Sequence, residues 1–352
     1  MFNINNYEER FELNTEIGII GAGSWGIALA YLLSNNGHHV TVWSRSESTV
    51  QKLKAYHGNE DKLPGVFLGD DVIFTSDMET AVKDKDLVVI VIPSAHMRET
   101  VKKIAPFIKP SEEHKQIIVN CTKGIEENTL MVMSDVILDE IPGSQVCVLS
   151  GPSHAEEVGK GLPTTIVVGA FDKETARYVQ NVFMSNAFRV YISPDMLGIE
   201  IGAALKNVIA LAAGMADGYG LGDNAKAALI TRGIAEIGRL GMAMGGKFET
   251  FSGLSGIGDL VVTCASMHSR NRRAGILIGQ GKSMKEAMDE VKMVVEGVYS
   301  AKAALELAGK YEVEMPIVEA VNEILFKGKA PGDAINDLML RDKKIENNSL
   351  NW

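Results

Sequence analysis

Lys206 stands inside IGAALKNVIALAAGMADG, residues 201–218, a run built almost wholly from small and aliphatic side chains. On a 3.6-residue period its face carries Gly202, Ala203, Ile209, Ala210 and Ala213, so an ammonium there is poorly hydrated. Desolvation disfavours the charged form and lowers a lysine pKa. An amine poised near neutrality can give a proton to a carbonyl oxygen as a hydride reaches the carbon, and take it back in reverse. Asn207, its neighbour, is suited to orient a substrate. The pattern alone equally fits a lysine that snorkels its head group to water.

A second group lies downstream in FSGLSGIGDLVVTCASMHSRNRRAGILIGQG, residues 251–281. Asp259 interrupts an apolar run there, as an N-cap, a loop aspartate or a site residue. Ser269 can cap a helix that opens with Arg270 and Asn271, and Arg270, Arg272 and Arg273 then crowd its first turn. Cations at that end oppose the helix dipole, so the cluster makes sense if an anion docks among them. Guanidinium groups beside free helix N–H groups form a phosphate site, although a basic, solvated turn has the same composition.

A third group opens the chain's first α/β repeat. IGIIGAGSWGIALAYLL contains Gly21, Gly23 and Gly26 in G-x-G-x-x-G spacing, after a strand and at the start of a helix. In that context the first glycine allows the turn, the second lets backbone approach a pyrophosphate, and the third lets helix and strand pack closely. A ligand-free turn or an S-adenosylmethionine site has a similar loop. The second strand ends VTVWSRSES, with Ser44 where an NAD site usually places an acid and Arg45 next to it, which predicts that NADP is accepted alongside NAD. Ligands of such sheets sit beyond the carboxyl ends of strands. Lys123 in CTKGIE falls at such an end, as a substrate contact or a solvated loop lysine, and Gly151 and Ser153 in SGPSH can offer N–H and hydroxyl groups to a small anion. His96 and His154 titrate in the useful range, but loop packing accounts for them as well.

These residues need a frame, and the sequence supplies one. Short apolar strands at 17–20, 39–43, 72–76, 86–92, 116–122, 144–150, 164–170 and 189–193 alternate with helical patterns at 26–35, 47–55, from 96, and at 127–140. Strands apolar on both faces, separated by helices, imply a mostly parallel sheet covered on both sides. After Pro194 helical patterns take over, at about 197–215, 223–244, 256–264, 271–280, 283–290, 296–309, 315–327 and 331–340. The reading is a tail over 1–15, a Rossmann dinucleotide-binding domain over 16–194, an all-α substrate domain over 195–342 and a second tail over 343–352.

Composition sets the outer limits. A net charge of −10 argues against nucleic acid or an anionic membrane surface as partner. Cys121, Cys147 and Cys264 have no metal-ligand or disulfide spacing, so no metal is expected and a reducing cytoplasm fits. No apolar run reaches membrane-spanning length, and the polar, acidic N-terminus is unlike a secretory signal.

Taken in order, GAGSWG at 21–26, PS at 93–94, TKGIE at 122–126, SGPSHAEEV at 150–158, LKN at 205–207, SGIGDL at 255–260, SRNRRAG at 269–275 and VVEG at 294–297 resemble the NAD(P)-dependent glycerol-3-phosphate dehydrogenases of bacterial type. The resemblance runs from about residue 16 to 340. It implies reversible reduction of dihydroxyacetone phosphate to sn-glycerol 3-phosphate for glycerophospholipid synthesis, in a homodimer. It also implies that Ser24, Trp25, Arg45, Lys123, Ala155, Arg270, Val294 and Glu296 contact the dinucleotide. Lys206 becomes the proton donor, and Lys123, Gly151, Ser153, Asn207, Asp259, Ser269, Arg270 and Asn271 contact the substrate. A related two-domain hydroxyacid dehydrogenase and a non-catalytic dinucleotide sensor are the alternatives; the SRNRR cluster favours a phosphorylated substrate, and a sensor has no use for a desolvated lysine.

Overall fold

A computed structural model describes residues 14–108, 116–343 and 345–346. Most of the expected N-terminal and C-terminal tails therefore lies outside the described residues. The strands are β1 Glu16–Ile20, β2 His39–Trp43, β3 Ile73–Thr75, β4 Leu87–Ile90, β5 Ile117–Asn120, β6 Gln145–Ser150, β7 Thr164–Ala170 and β8 Phe188–Ser193. They form one sheet in the order β3-β2-β1-β4-β5-β6-β7-β8. Neighbours run parallel except β6 and β7, which pair antiparallel with Cys147 opposite Ala170. The helices of this half are α1 Ser24–Asn35, α2 Glu47–Tyr56, α3 Met78–Val82, α4 Met97–Ile104, α5 Met133–Glu140, α6 Ala155–Val158 and α7 Lys173–Phe183.

Both faces of the sheet are dry, which is why the strands read as continuous apolar runs. Ile17, Ile19, Leu87 and Val89 enter the core on one face, while Ile20, Val88, Ile90 and Ile118 enter the core on the other. Such a doubly covered, mostly parallel sheet opening on a glycine loop is the Rossmann arrangement expected from the sequence.

From Met196 onward the described chain is helical: α8 Met196–Tyr219, α9 Asp223–Ala243, α10 Phe248–Phe251, α11 Asp259–Ala265, α12 Arg270–Gly279, α13 Met284–Val291, α14 Glu296–Lys310, α15 Pro316–Lys327 and α16 Pro331–Met339. Helix α8 is the axis of this half, buried from Gly198 through Ala216. It is long and apolar enough to cross a membrane, contrary to the sequence reading; yet 94% of its most apolar stretch is covered by other elements, so it is a core helix. Its partner α12 lies against it backbone to backbone. A Cβ on Gly214 would sit 2.1 Å from the Arg272 carbonyl oxygen, and one on Gly275 would sit 2.2 Å from the Leu211 carbonyl oxygen. This seam of glycines brings the start of α12 beside the middle of α8.

Three local expectations are corrected. The stretch expected as helix over 127–140 starts its helix only at Met133; before that, an Ile125–Val132 bridge and a left-handed Leu130 at φ 60° make a turn. The helix expected at 256–264 is a π-turn over Leu254–Gly258 followed by α11. Helix α7, absent from the sequence reading, fills the gap between the last two strands; Asp172 caps it by accepting the Thr175 N–H at 2.7 Å.

Candidate active site

The glycine loop joins β1 to α1 with Gly21 at φ +125°, a conformation that disfavours any side chain. A Cβ on Gly26 would lie 1.9 Å from the Gly21 carbonyl oxygen, so the helix closes directly onto the turn. Nothing lies within 4 Å of where a Cβ on Gly23 would be. Gly23 caps α1 without a side-chain hydrogen bond, and the first turn holds no acid. Free helix N–H groups, open backbone and no competing carboxylate fit a dinucleotide pyrophosphate. Ser24 Oγ donates to the Lys62 carbonyl at 2.8 Å, and Trp25 packs half-buried against the core beneath α1. Arg45 is exposed just past the carboxyl end of β2. Ala155 is buried at the start of α6, in the same core as Trp25.

Three charged groups from separate elements meet in the interior. Lys206 is 6% exposed and Asp259, the first residue of α11, is 1% exposed. Lys206 Nζ donates to Asp259 Oδ1 and, at 2.9 Å, to Thr263 Oγ1. Lys123 Nζ reaches Asp259 Oδ2 at 2.7 Å and the Gly151 carbonyl at 3.3 Å. Burial pushes the Lys206 ammonium down toward neutrality, with Lys123 pushing the same way and Asp259 opposing. Burial works to raise the Asp259 carboxyl, but the two ammoniums outweigh it and hold it below its usual range. Lys206 thus does not snorkel; its head is held inside by a counter-ion. Both Asp259 oxygens are engaged by the lysines.

The start of α12 completes the wall. Ser269 Oγ accepts the Arg272 N–H at 3.2 Å as N-cap. Asn271 donates from Nδ2 to Asn207 Oδ1 at 2.9 Å and accepts the Gly297 N–H at 2.8 Å. The arginine cluster divides. Arg272 is committed to Asp217, at 2.6 and 2.9 Å, which takes it out of the expected anion grip. Arg270 is half-buried without an ion pair among the described residues, and burial lowers its pKa, a cost that an anion would relieve. Ser153 Oγ donates to the Gly151 carbonyl at 2.9 Å. Glu296 opens α14 and reaches back to the sheet half, accepting from Ser94 Oγ at 2.7 Å and Ser94 N at 3.3 Å. Val294 is half-buried two residues before it. Burial raises the Glu296 carboxyl against those hydrogen bonds and the Arg270 cation.

His96 is exposed, whereas His154 packs on His268 with ring centroids 5.6 Å apart. Burial, then the Lys206 charge, lower the His154 pKa, which suits a neutral packing role. Thr263 has no role in the sequence reading, and Ser94 enters it only within the PS motif at 93–94. Thr263 was findable, since it lies four residues after Asp259 on one face of α11. Among the described residues no cluster of metal-ligating side chains occurs.

Comparison with known proteins covers both halves. The family models described as NAD-dependent glycerol-3-phosphate dehydrogenase N-terminus and C-terminus match residues 16–176 and 195–336. A glycerol-3-phosphate dehydrogenase (NAD(P)+) of Agathobacter rectalis is 61% identical over 338 residues, 96% of this chain and 99% of the relative. One of Fusobacterium nucleatum is 58% identical over 333 residues, 94% of this chain and 98% of the relative. The crystal structure of a glycerol-3-phosphate dehydrogenase from Coxiella burnetii superposes with a TM-score of 0.89 at 36% identity, covering 94% of this chain and all of that one.

Proposed function

The chain belongs to the NAD-dependent glycerol-3-phosphate dehydrogenase family, and we propose from that premise that it reversibly reduces dihydroxyacetone phosphate to sn-glycerol 3-phosphate with NADPH or NADH. The observation that carries this reading is the buried Lys206–Asp259–Lys123 cluster beside the Ser269–Arg270–Asn271 helix start. When bound, the nicotinamide supplies a hydride to the carbonyl carbon. Lys206 gives the carbonyl oxygen its proton and in reverse takes the proton from the C2 hydroxyl. Asp259 keeps enough positive charge on Lys206 for that donation, and Lys123 adds a second cation toward the developing alkoxide. Arg270 and the α12 N–H groups hold the phosphate, with Asn207 and Asn271 fixing each other at its edge. Gly151 and Ser153 line the substrate side.

Gly21, Gly23, Ser24, Trp25 and Gly26 would hold the dinucleotide, and the exposed Arg45 would be available to a 2′-phosphate. Ala155, Val294 and Glu296 would add further contacts to the cofactor. The assay is oxidation of NADPH, followed by its absorbance near 340 nm, on adding dihydroxyacetone phosphate. No turnover by folded protein would reject the reading.

In this proposal the product supplies glycerophospholipid synthesis and the enzyme works in the cytoplasm, where three free, buried cysteines stay reduced. It works as a homodimer. A groove of about 1210 Å³ on the helical half, lined by Leu229, Phe248, Ile317 and Met339 among others, supports a second copy as its cover. A solution mass of one chain at micromolar concentration would reject the dimer.

A further inference from the structure

Lys123 and Lys206 come from different halves of the fold, the loop after β5 and helix α8, and Asp259 holds them from a third element. Their spacing depends on how that loop is fixed against α8. Six residues before Lys206, roughly 9 Å along the helix axis, stands Glu200, 3% exposed. Its Oε1 accepts from Asn120 Nδ2 at 2.9 Å and from Ser134 N at 2.9 Å, and its Oε2 accepts from Ser134 Oγ. Asn120 is the last residue of β5 and is fully buried. Its Oδ1 accepts the Thr122 N–H at 2.9 Å, and Thr122 Oγ1 donates to the Ile92 carbonyl at 2.9 Å. Lys123 is the next residue.

We propose that Glu200 and Asn120 are positioning residues for the reaction, forming with Thr122 a buried relay that sets Lys123 against Asp259 and Lys206. The circuit closes: Glu200 to Asn120, to the Thr122 backbone, to Lys123, to Asp259, to Lys206, and back along α8 to Glu200. An isolated carboxyl buried in an apolar setting is costly, and an aliphatic side chain would pack a helix on a sheet more cheaply. What the carboxyl adds is direction, because one oxygen joins β5 and the start of α5 to a fixed point on the catalytic helix. Burial lifts its carboxyl to about 7, while the bonds from Asn120 and Ser134 oppose that rise; what the relay uses is the geometry of those bonds. Glutamine can keep both Oε1 bonds and donate to Ser134 Oγ in place of the second oxygen.

The proposal rests on the activity assigned above, and one arm of its test does not. In that arm, a crystal structure of Asn120→Ala is expected to show Lys123 Nζ withdrawn from Asp259 beyond ion-pair distance; a retained contact would overturn the relay whatever the substrate. The kinetic arm uses Glu200→Ala, Glu200→Gln and Asn120→Ala. A displacement of an ångström or so costs up to about 100-fold, so the two alanine variants are expected to lose roughly 10- to 100-fold in kcat/KM for dihydroxyacetone phosphate with NADPH affinity unchanged. Glu200→Gln stays within about threefold of wild type by keeping the relay's geometry. In a Lys123→Met background the same alanine substitutions are expected to cost less than about twofold, because the residue they position is gone. An equal loss in both backgrounds, or a fall in melting temperature with kcat/KM intact, would assign Glu200 to the fold alone. Where Glu200→Ala does not fold, Asn120→Ala carries both arms.

Discussion

Asp259→Asn keeps the shape of the buried side chain and removes its charge, leaving two ammoniums around a neutral amide. A contact ion pair about 4 Å apart is worth roughly 4 kcal/mol at an effective dielectric near 20. At about 1.4 kcal/mol per pH unit, that is a ceiling of about three units on how far the carboxylate raises Lys206, and neighbouring opposite charges commonly give one to three. In the wild type, burial and the two partners bring Lys206 to about 7, so close to half of it is protonated at neutral pH. Without the carboxylate, the protonated fraction at pH 7 falls below about a tenth and as low as a thousandth. Reduction needs the protonated amine, so kcat/KM for dihydroxyacetone phosphate falls at least about fivefold at pH 7 and recovers as pH is lowered. Oxidation of glycerol 3-phosphate needs the neutral amine, so its acidic limb extends to lower pH. Initial rates in both directions between about pH 5 and 9 read the two limbs. A reduction limb that stays in place, or moves to higher pH, would refute the assignment of Asp259 as the group that keeps Lys206 charged.

Arg270→Ala is expected to raise the KM for dihydroxyacetone phosphate by the roughly 2–5 kcal/mol typical of a lost buried charge partner, while Arg272→Ala, which breaks the Asp217 pair, mainly lowers stability. Steady-state kinetics beside thermal melts separate the two, and equal KM effects would contradict the division of the cluster. Gly275→Ala places a Cβ 2.2 Å from the Leu211 carbonyl oxygen and forces α12 off α8. A loss of about 1–3 kcal/mol in urea unfolding, with a raised substrate KM as Asn271 moves from Asn207, is the expected result. Glu236 accepts the Ile317 and Val318 N–H groups at the start of α15, and burial lifts its carboxyl to about 7. Its folded pKa lies above its unfolded one, so its contribution to stability is full below the unfolded value of 4.5 and is lost as pH rises through about 7. Wild type should therefore lose stability relative to Glu236→Gln between pH 5 and 8, by at most about 3 kcal/mol; parallel urea midpoints across that range would refute it.

The alternation of apolar strands and helices was legible because a doubly covered sheet leaves no solvent face to break the runs. The glycine loop was legible because its spacing is a steric requirement of the turn. Lys206 was visible as a charge where the helix period demands apolar residues, but its state was not. Snorkelling and burial share one local sequence, and the counter-ion that decides between them is 53 residues away on another helix. Glu200 gives the same signal, but its meaning lies in Asn120 and Ser134, 80 and 66 residues distant. The three arginines looked alike, and only the α8–α12 seam, which hands Arg272 to Asp217, separates them. Over 127–132 the Ile125–Val132 bridge and the left-handed Leu130 take the place of the expected helix, a tertiary pairing that local composition does not reveal.

The central claim is that Lys206 transfers the proton while other residues hold the ligands. Single-turnover oxidation of enzyme-bound NADPH by dihydroxyacetone phosphate, with Lys206→Met beside wild type and NADPH affinity measured on the same samples, tests it most directly. General acid catalysis contributes about 10²–10⁴-fold, so the account predicts a loss of that size with NADPH affinity within about twofold. A Lys206→Met enzyme that keeps more than about a tenth of the wild-type rate would contradict it.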